Sequence, residues 1–293
     1  MGKDLCDNFE EARTVYDEAS AALGYDVSDL SFNGPKDELN KTFRTQPCLL
    51  TASIAAYKVL QAKGITPDVV AGHSLGEYSA IVAAGVLPFS DAAGLTEKRG
   101  TFMQEAVPEG KGLMAAIIGI SRDVMDRICL SVRSGYVSPA NYNCPGQIVI
   151  AGEKEAVEEA MALATEAGAR KVVALAVSAP SHCTLMVGAS KRLGELLESL
   201  RFATPAVPVV NNADAMFLTN GDRIKVSLIK QLNSPLLWED SVRAMTESGI
   251  DTYVEVGPGR VLSGLVKRIS SSVRIFNVED SASLDKTIQG LTA

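Results

Sequence analysis

The chain has 293 residues, 46% of them hydrophobic, with a formal net charge of -7 and a pI near 5.1. That is enough core for one large α/β domain or two smaller ones, and the acidic balance disfavours nucleic acid or an anionic membrane as main partner. Five scattered cysteines (Cys6, Cys48, Cys129, Cys144, Cys183) without a CxxC pair argue against a disulfide framework or zinc site, and no run approaches the roughly 18 apolar residues of a membrane span, so a soluble cytoplasmic protein is expected.

Leu5, Phe9, Val15 and Leu23 recur at helical spacing over 5–24, and a second helix is expected over 47–62, with Pro47 in its first turn and Leu50, Ile54, Tyr57 and Leu60 on one face. Residues 68–72 read as a short apolar strand, followed by helices over 75–84 and 88–106. From 112 the pattern changes: LMAAIIGI reads as strand, DVMDRICLSV as helix, GYVSPANY and QIVIAG as strands, KEAVEEAMALATEAG as helix and KVVALAV as strand. That β-α-β-β-α-β order is a ferredoxin-like unit. The expected division is therefore an inserted subdomain over 111–180 within a catalytic subdomain made of 1–110 and 181–293. Beyond it helix and strand alternate again through VPVVNN, RIKVSLIKQL, TYVEVG and VRIFNVE, the pattern of a mostly parallel sheet with helices on both faces.

Gly72-His-Ser-Leu-Gly76 matches G-x-S-x-G, the sharp strand-to-helix turn that presents a serine hydroxyl. At average glycine and serine usage three such positions coincide by chance in about one chain in ten of this length, so the flanking strand and helix carry the reading. Both glycines are expected to be sterically required, because strand and helix cross closely there. Ser74 would then sit at a helix N-terminus, where the Leu75 N–H and the helix dipole favour an oxyanion. An ordinary glycine-rich strand-to-helix loop is the competing reading.

A serine nucleophile needs a base, and the chain contains two histidines. His73 adjoins Ser74 on a tight turn and is expected to point away, packing or contacting backbone. His182, in VSAPSHCTLM, follows the last strand of the inserted unit and is expected to be delivered over the serine. The group that holds the imidazole tautomer can be a carboxylate or a carbonyl, and Asp214, Gln231 and Asn233 all remain candidates.

These stretches, with ELNKTFRTQPCLLTAS, GHSLGEYSA, KRGTFMQEAVPEGKG, NYNCPGQIVIAG, SAPSHCTLM, VPVVNNAD, QLNSPLLW and EVGPGRVLSGL, cover nearly the whole sequence. Together they resemble the malonyl-CoA:acyl carrier protein transacylase family of bacterial type II fatty acid synthesis. The resemblance implies a hydrolase-like α/β core with an inserted ferredoxin-like subdomain. It implies that Ser74 is the nucleophile, His182 the base and the backbone carbonyl of Gln231 the group that orients His182. Arg99 matches the arginine that holds the malonyl carboxylate; without the family it is one member of the charged face TEKRGTF. The implied reaction moves malonyl from CoA to the phosphopantetheine thiol of a holo acyl carrier protein, with CoA thioester as substrate, no cofactor and no metal, in a monomer.

Three departures and alternatives accompany this resemblance. The family's N-terminal strand and its F-P-G-Q-G-S-Q loop, which supplies a second oxyanion N–H, have no counterpart here; a boundary placed too far downstream is the expected explanation, and loss of one donor costs about 10² to 10³ in rate. Ser181, before the histidine, is small, so the sequence does not exclude methylmalonyl. A serine esterase or thioesterase, or a carrier-protein docking module without catalysis, shares most of these features. Docking of an acidic carrier protein is expected to use local basic residues, with Arg223, Lys225, Lys230, Arg260, Lys267 and Arg268 as candidates.

Overall fold

The computed structural model describes residues 1–176 and 179–292. Five helices precede the first strand: α1 (Lys3–Asn8), α2 (Glu10–Leu23), α3 (Val27–Asn33), α4 (Lys36–Leu39) and α5 (Thr42–Ala62). The helical pattern over 5–24 is thus split, since Phe9 takes an extended conformation (φ -131°, ψ 131°) and Arg13 caps the break by donating to the Cys6 carbonyl at 2.7 Å. Glu10 and Glu11 suit the N-terminus of α2, Gly24 ends it in the left-handed region, and Ala12, Val15, Tyr16 and Ala19 form its buried stripe. Asp26 caps α3, its carboxylate accepting from the Asp29 N–H at 2.7 Å.

Pro47 lies inside α5 rather than in its first turn. The earlier start at Thr42 is held from outside: Arg44 bridges Glu38 at 3.4 Å and Glu97 at 2.7 Å. Gly100 lets the two backbones meet, because a Cβ there would stand 2.5 Å from Phe43 Cα. This tertiary contact outweighs the lost proline hydrogen bond.

Next come β1 (Val70–Ala71), α6 (Gly76–Ala83) and α7 (Phe89–Ala106), followed by β2 (Gly112–Ile118), α8 (Arg122–Ser131), β3 (Val137–Cys144), β4 (Gln147–Glu153), α9 (Lys154–Glu166) and β5 (Lys171–Ala174). These last four strands form one sheet in the order β3-β4-β2-β5, antiparallel at every pairing. Ile117, Met125, Ile148, Ile150, Val157 and Ala160 pack between this sheet and α8 and α9 as a core of their own. The last residues of the KVVALAV strand reading fall partly on 177, which lies outside the described residues.

A short 3₁₀ turn at Thr184–Met186 leads into α10 (Val187–Glu198), β6 (Val209–Val210), β7 (Phe217–Leu218), α11 (Gly221–Asn233), α12 (Trp238–Glu247), β8 (Thr252–Val256), α13 (Val261–Ile269), β9 (Arg274–Val278) and α14 (Ser281–Thr292). Among the described residues the strands outside 111–180 form two separate small sheets, β1-β6-β7 and β8-β9. Among the described residues parallel ladders are confined to β1–β6 and β8–β9, and β7 runs antiparallel to β6. The reversal follows from Asn211, whose N–H and side-chain oxygen both bond the backbone of Met216 and fold the chain back at once.

The largest core lies among helices, with Tyr16, Leu50, Ile54, Tyr78, Leu193 and Leu228 buried together from α2, α5, α6, α10 and α11. Because β1 and β6 are parallel, their carboxyl ends open onto the same edge, and the segments leaving them, 72–75 and 211–212, lie side by side.

Candidate active site

The chain leaves β1 through Gly72 and turns into α6 at once. A Cβ on Gly72 would lie 2.0 Å from the Gly76 carbonyl oxygen and 2.6 Å from the Glu77 nitrogen, so no side chain fits. Gly76 corrects the sequence reading: a Cβ there would meet nothing within 4 Å. Ser74 occupies the left-handed region at φ 53°, a strained conformation for a residue other than glycine. Its N–H is taken by the Asn212 side-chain oxygen at 2.7 Å. The next amide, that of Leu75 at the N-cap of α6, has no hydrogen-bond partner among the described residues and is free to receive an oxyanion.

His182 reaches the serine from 108 residues away, with its Nε2 2.8 Å from Ser74 Oγ. Its backbone is also left-handed (φ 61°), pinned by a hydrogen bond from its N–H to the Leu232 carbonyl at 3.1 Å. The Gln231 carbonyl oxygen lies 2.8 Å from Nδ1. A carbonyl can only accept, so Nδ1 carries the proton and Nε2 presents its lone pair to the serine hydroxyl. Burial, reinforced by the Arg99 charge and opposed by the Gln231 carbonyl, pushes the His182 pKa down to about 3, so the ring is neutral at neutral pH. Of the three tautomer-holding candidates Gln231 is the one in contact, whereas Asp214 is ion-paired with Lys230 and the Asn233 side chain bonds Ser234. His73 points away from the pair, toward Asn143 at 2.8 Å and edge-on against Trp238; its partner is a side chain, not backbone.

Arg99, on α7, is 1% exposed. It donates to the Gln46 side-chain oxygen at 2.7 Å, to Ser74 Oγ at 3.1 Å and to the Gln231 side-chain oxygen at 3.1 Å. All three partners are neutral, and among the described residues no carboxylate pairs with it. A guanidinium stays charged even where burial lowers its pKa, as here. The site therefore holds a buried cation against the serine hydroxyl, with the carboxyl of Glu77 one glutamine away, together with a neutral imidazole and a free amide.

A sequence model of the acyl transferase domain matches residues 1–292. The chain belongs to the acyl transferase family. Among its relatives, the malonyl CoA-acyl carrier protein transacylase of Escherichia coli (strain K12) is 49% identical over 291 residues, covering 99% of this chain and 94% of that protein. The solved structure of a type II PKS acyl-carrier protein in complex with its malonyl-transacylase superposes with a TM-score of 0.97 at 48% identity, over 99% of this chain and 94% of that one. An acyl carrier protein S-malonyltransferase from Vibrio cholerae O1 gives a TM-score of 0.96 at 47% identity, over 98% and 94% of the two chains.

This acyl transferase brings three further residues to the site that sequence reasoning did not single out. Gln46 and Asn212 are buried amides, and Glu77 is a carboxylic acid without exposure, pushed up to about 7 by burial against the opposing pull of Gln231, the Asn212 N–H and Arg99. Asn212 had a positional signal, since it follows a strand at the carboxyl edge where α/β sites gather; Gln46 and Glu77 sit in helices whose pattern does not distinguish an inward polar residue from an outward one. Ser181 lies beside the Met114 sulfur, its hydroxyl 3.5 Å away. The basic residues form two separate groups. On α11 Lys230 pairs with Asp214 and Lys225 bonds the Leu200 carbonyl, with Arg223 nearby in sequence. At α13 Arg260 pairs with Glu279 and Arg268 reaches Gln147, next to Lys267. Among the described residues no cluster of three acidic, histidine or cysteine side chains could hold a metal, and no helix is long and apolar enough to cross a membrane.

Proposed function

We propose that this chain transfers malonyl from CoA to the phosphopantetheine thiol of holo acyl carrier protein, through a malonyl-serine intermediate, in fatty acid biosynthesis. The observation that carries the reading is Arg99, a buried guanidinium 3.1 Å from the Ser74 hydroxyl with neutral partners only. None of its direct partners carries a charge, so an acyl group that ends in a carboxylate pairs with it as an acetyl group cannot. The names of the relatives agree with that chemistry.

Each residue then has one task. His182 Nε2 takes the hydroxyl proton as Ser74 Oγ attacks the thioester carbon, while the carbonyl of Gln231 holds the resulting imidazolium by its Nδ1–H. The Leu75 N–H receives the oxyanion. The carbon–sulfur bond breaks, and the departing CoA thiolate takes the proton from His182. In the second half His182 removes the proton of the carrier thiol, whose sulfur attacks the serine ester; Ser74 leaves and recovers that proton. Serine, imidazole and a reactive thioester suffice, so no cofactor is assigned.

The fold reading that accompanies this function is a hydrolase-like catalytic subdomain made of 1–110 and 181–293, with a ferredoxin-like subdomain over 111–180. The order of the four antiparallel strands and their separate core support it. The α11 and α13 basic groups are the proposed contacts for the acidic carrier protein.

The test is intact-mass measurement after mixing with malonyl-CoA, for the wild type and Ser74→Ala. One malonyl adduct on the wild type, lost on addition of holo carrier protein with matching gain on the carrier, is the expected result. No adduct, or an adduct lost to water at the same rate with or without carrier, overturns the transferase reading.

A further inference from the structure

Glu77 sits in the first turn of α6, fully buried, three residues after the serine. Its Oε2 accepts two hydrogen bonds, from the Gln231 side-chain amide at 2.9 Å and from the Asn212 N–H at 3.0 Å, while its Oε1 is buried without a hydrogen-bond partner. A buried carboxyl is expensive even in the first turn of a helix, where a negative charge is favoured.

The two donors lead to different parts of the reacting pair. Asn212 takes the Ser74 N–H on its side-chain oxygen and donates to the Gly72 carbonyl at 2.8 Å, so it grips the elbow on both sides of His73. Gln231 donates its side-chain amide to the Ser74 carbonyl at 2.9 Å, accepts from Arg99 on its side-chain oxygen, and takes the His182 Nδ1–H on its backbone oxygen. The tethers on the Ser74 backbone, the imidazole and the guanidinium thus converge on one oxygen atom.

We propose that Glu77 is a positioning residue, whose Oε2 binds the Asn212 and Gln231 arms together and so sets the register of Ser74, His182 and Arg99 for acyl transfer. This inference rests on the acyl-serine reading above. What it requires of residue 77 is an acceptor at a fixed reach, and not a charge. Its pKa near 7 is consistent with that, because the oxygen keeps its lone pairs in the protonated form as well.

Two substitutions separate reach from charge. Glu77→Gln keeps an oxygen at the same reach and removes the charge; Glu77→Asp keeps the charge and withdraws the oxygen by one methylene, too short to span both donors. The readouts are the single-turnover rate of Ser74 malonylation by intact mass, the malonyl-CoA concentration giving half the maximal rate, and a thermal unfolding curve. Displacement of reacting groups by a fraction of an ångström to an ångström costs up to about 10² in rate, so Glu77→Asp is expected to be acylated at least ~10-fold more slowly with half-saturation within about threefold, and Glu77→Gln within about threefold of wild type. Wild-type acylation by folded Glu77→Asp, or slower acylation by Glu77→Gln than by Glu77→Asp, overturns the proposal. Should Glu77→Asp lack a cooperative transition, Glu77→Gln decides alone: a rate within about threefold supports the acceptor role and a larger loss overturns it. Absence of acylation in the wild type would instead reject the underlying transferase reading.

Discussion

Arg99 shows how much of the chemistry depends on one side chain being deprived of a partner. A guanidinium at 1% exposure normally faces a carboxylate, and here it faces two glutamine oxygens and the serine hydroxyl. Those neutral acceptors hold the fork in place, the buried Glu77 acts on its charge without touching it, and its Nε is left without a hydrogen-bond partner. Removing it should be selective. Arg99→Ala is expected to raise the barrier to malonyl transfer by about 2 to 5 kcal/mol, the range seen when one partner of a buried charge pair is truncated, while acetyl transfer survives or improves. Competition between malonyl-CoA and acetyl-CoA, read as the ratio of kcat/KM, checks it, and an unchanged ratio would remove Arg99 from substrate selection.

At the scale of the element, the elbow is built by one glycine and not by two. Gly72 has no room for a methyl group because the chain turns back over it within four residues, whereas Gly76 opens onto free space and has ordinary helical geometry. Gly72→Ala is therefore expected to yield little folded protein, and Gly76→Ala to fold with a melting temperature at or above wild type, since alanine favours a helix over glycine by about 1 kcal/mol. Thermal melts of the two variants decide it; similar damage from both would show that the second glycine is also structural. The G-x-S-x-G pattern cannot reveal this asymmetry, which depends on where the following helix turns. The same limit explains what was legible elsewhere. Ser74 and His182 are within reach of sequence because the serine sits in a distinctive turn motif and there are only two histidines to choose between, whereas Arg99, one of 28 lysines and arginines, is legible only through the family resemblance. Gln231 was legible only as one of several tautomer-holding groups, because what it offers is a carbonyl that every residue has. Asn212, Gln46 and Glu77 act through contacts over more than fifty residues of chain, which no local spacing encodes. The sequence reading contains no helix over 27–39, 238–247 or 281–292; α3 and α4 are short, whereas α12 and α14 are no shorter than α6, which it contains.

For the molecule as a whole, placing a carboxyl and an imidazole together in a buried site makes stability depend on pH in two opposed ways. The folded-state pKa of His182 is depressed to about 3 from an ordinary 6.5, so the unfolded chain binds more protons between these values and stability is lost as pH falls below 6.5. Glu77 does the reverse. Its folded-state pKa is raised to about 7 from 4.5, so its contribution is present below 4.5 and is lost as pH rises through 7. The groups that face it are Gln231 and the Asn212 N–H, which favour its ionised form, with Arg99 acting in the same direction and Asp214 against. Across 4.5 to 6.5 the two residues offset one another, which masks both in a wild-type pH–stability curve. Glu77→Gln removes one side of that balance. The melting temperature of the variant minus that of the wild type is expected to increase from pH 4.5 to about 8 and then level, as the wild type is forced to ionise a buried carboxyl that the variant lacks. Below pH 4.5 both proteins should weaken in parallel, because the histidine is common to them. A difference that stays flat across this range would mean that Glu77 titrates in the folded protein as it does in the unfolded chain, and a difference that shrinks with rising pH would mean that Arg99 and the two amide donors stabilise its ionised form more than burial opposes it.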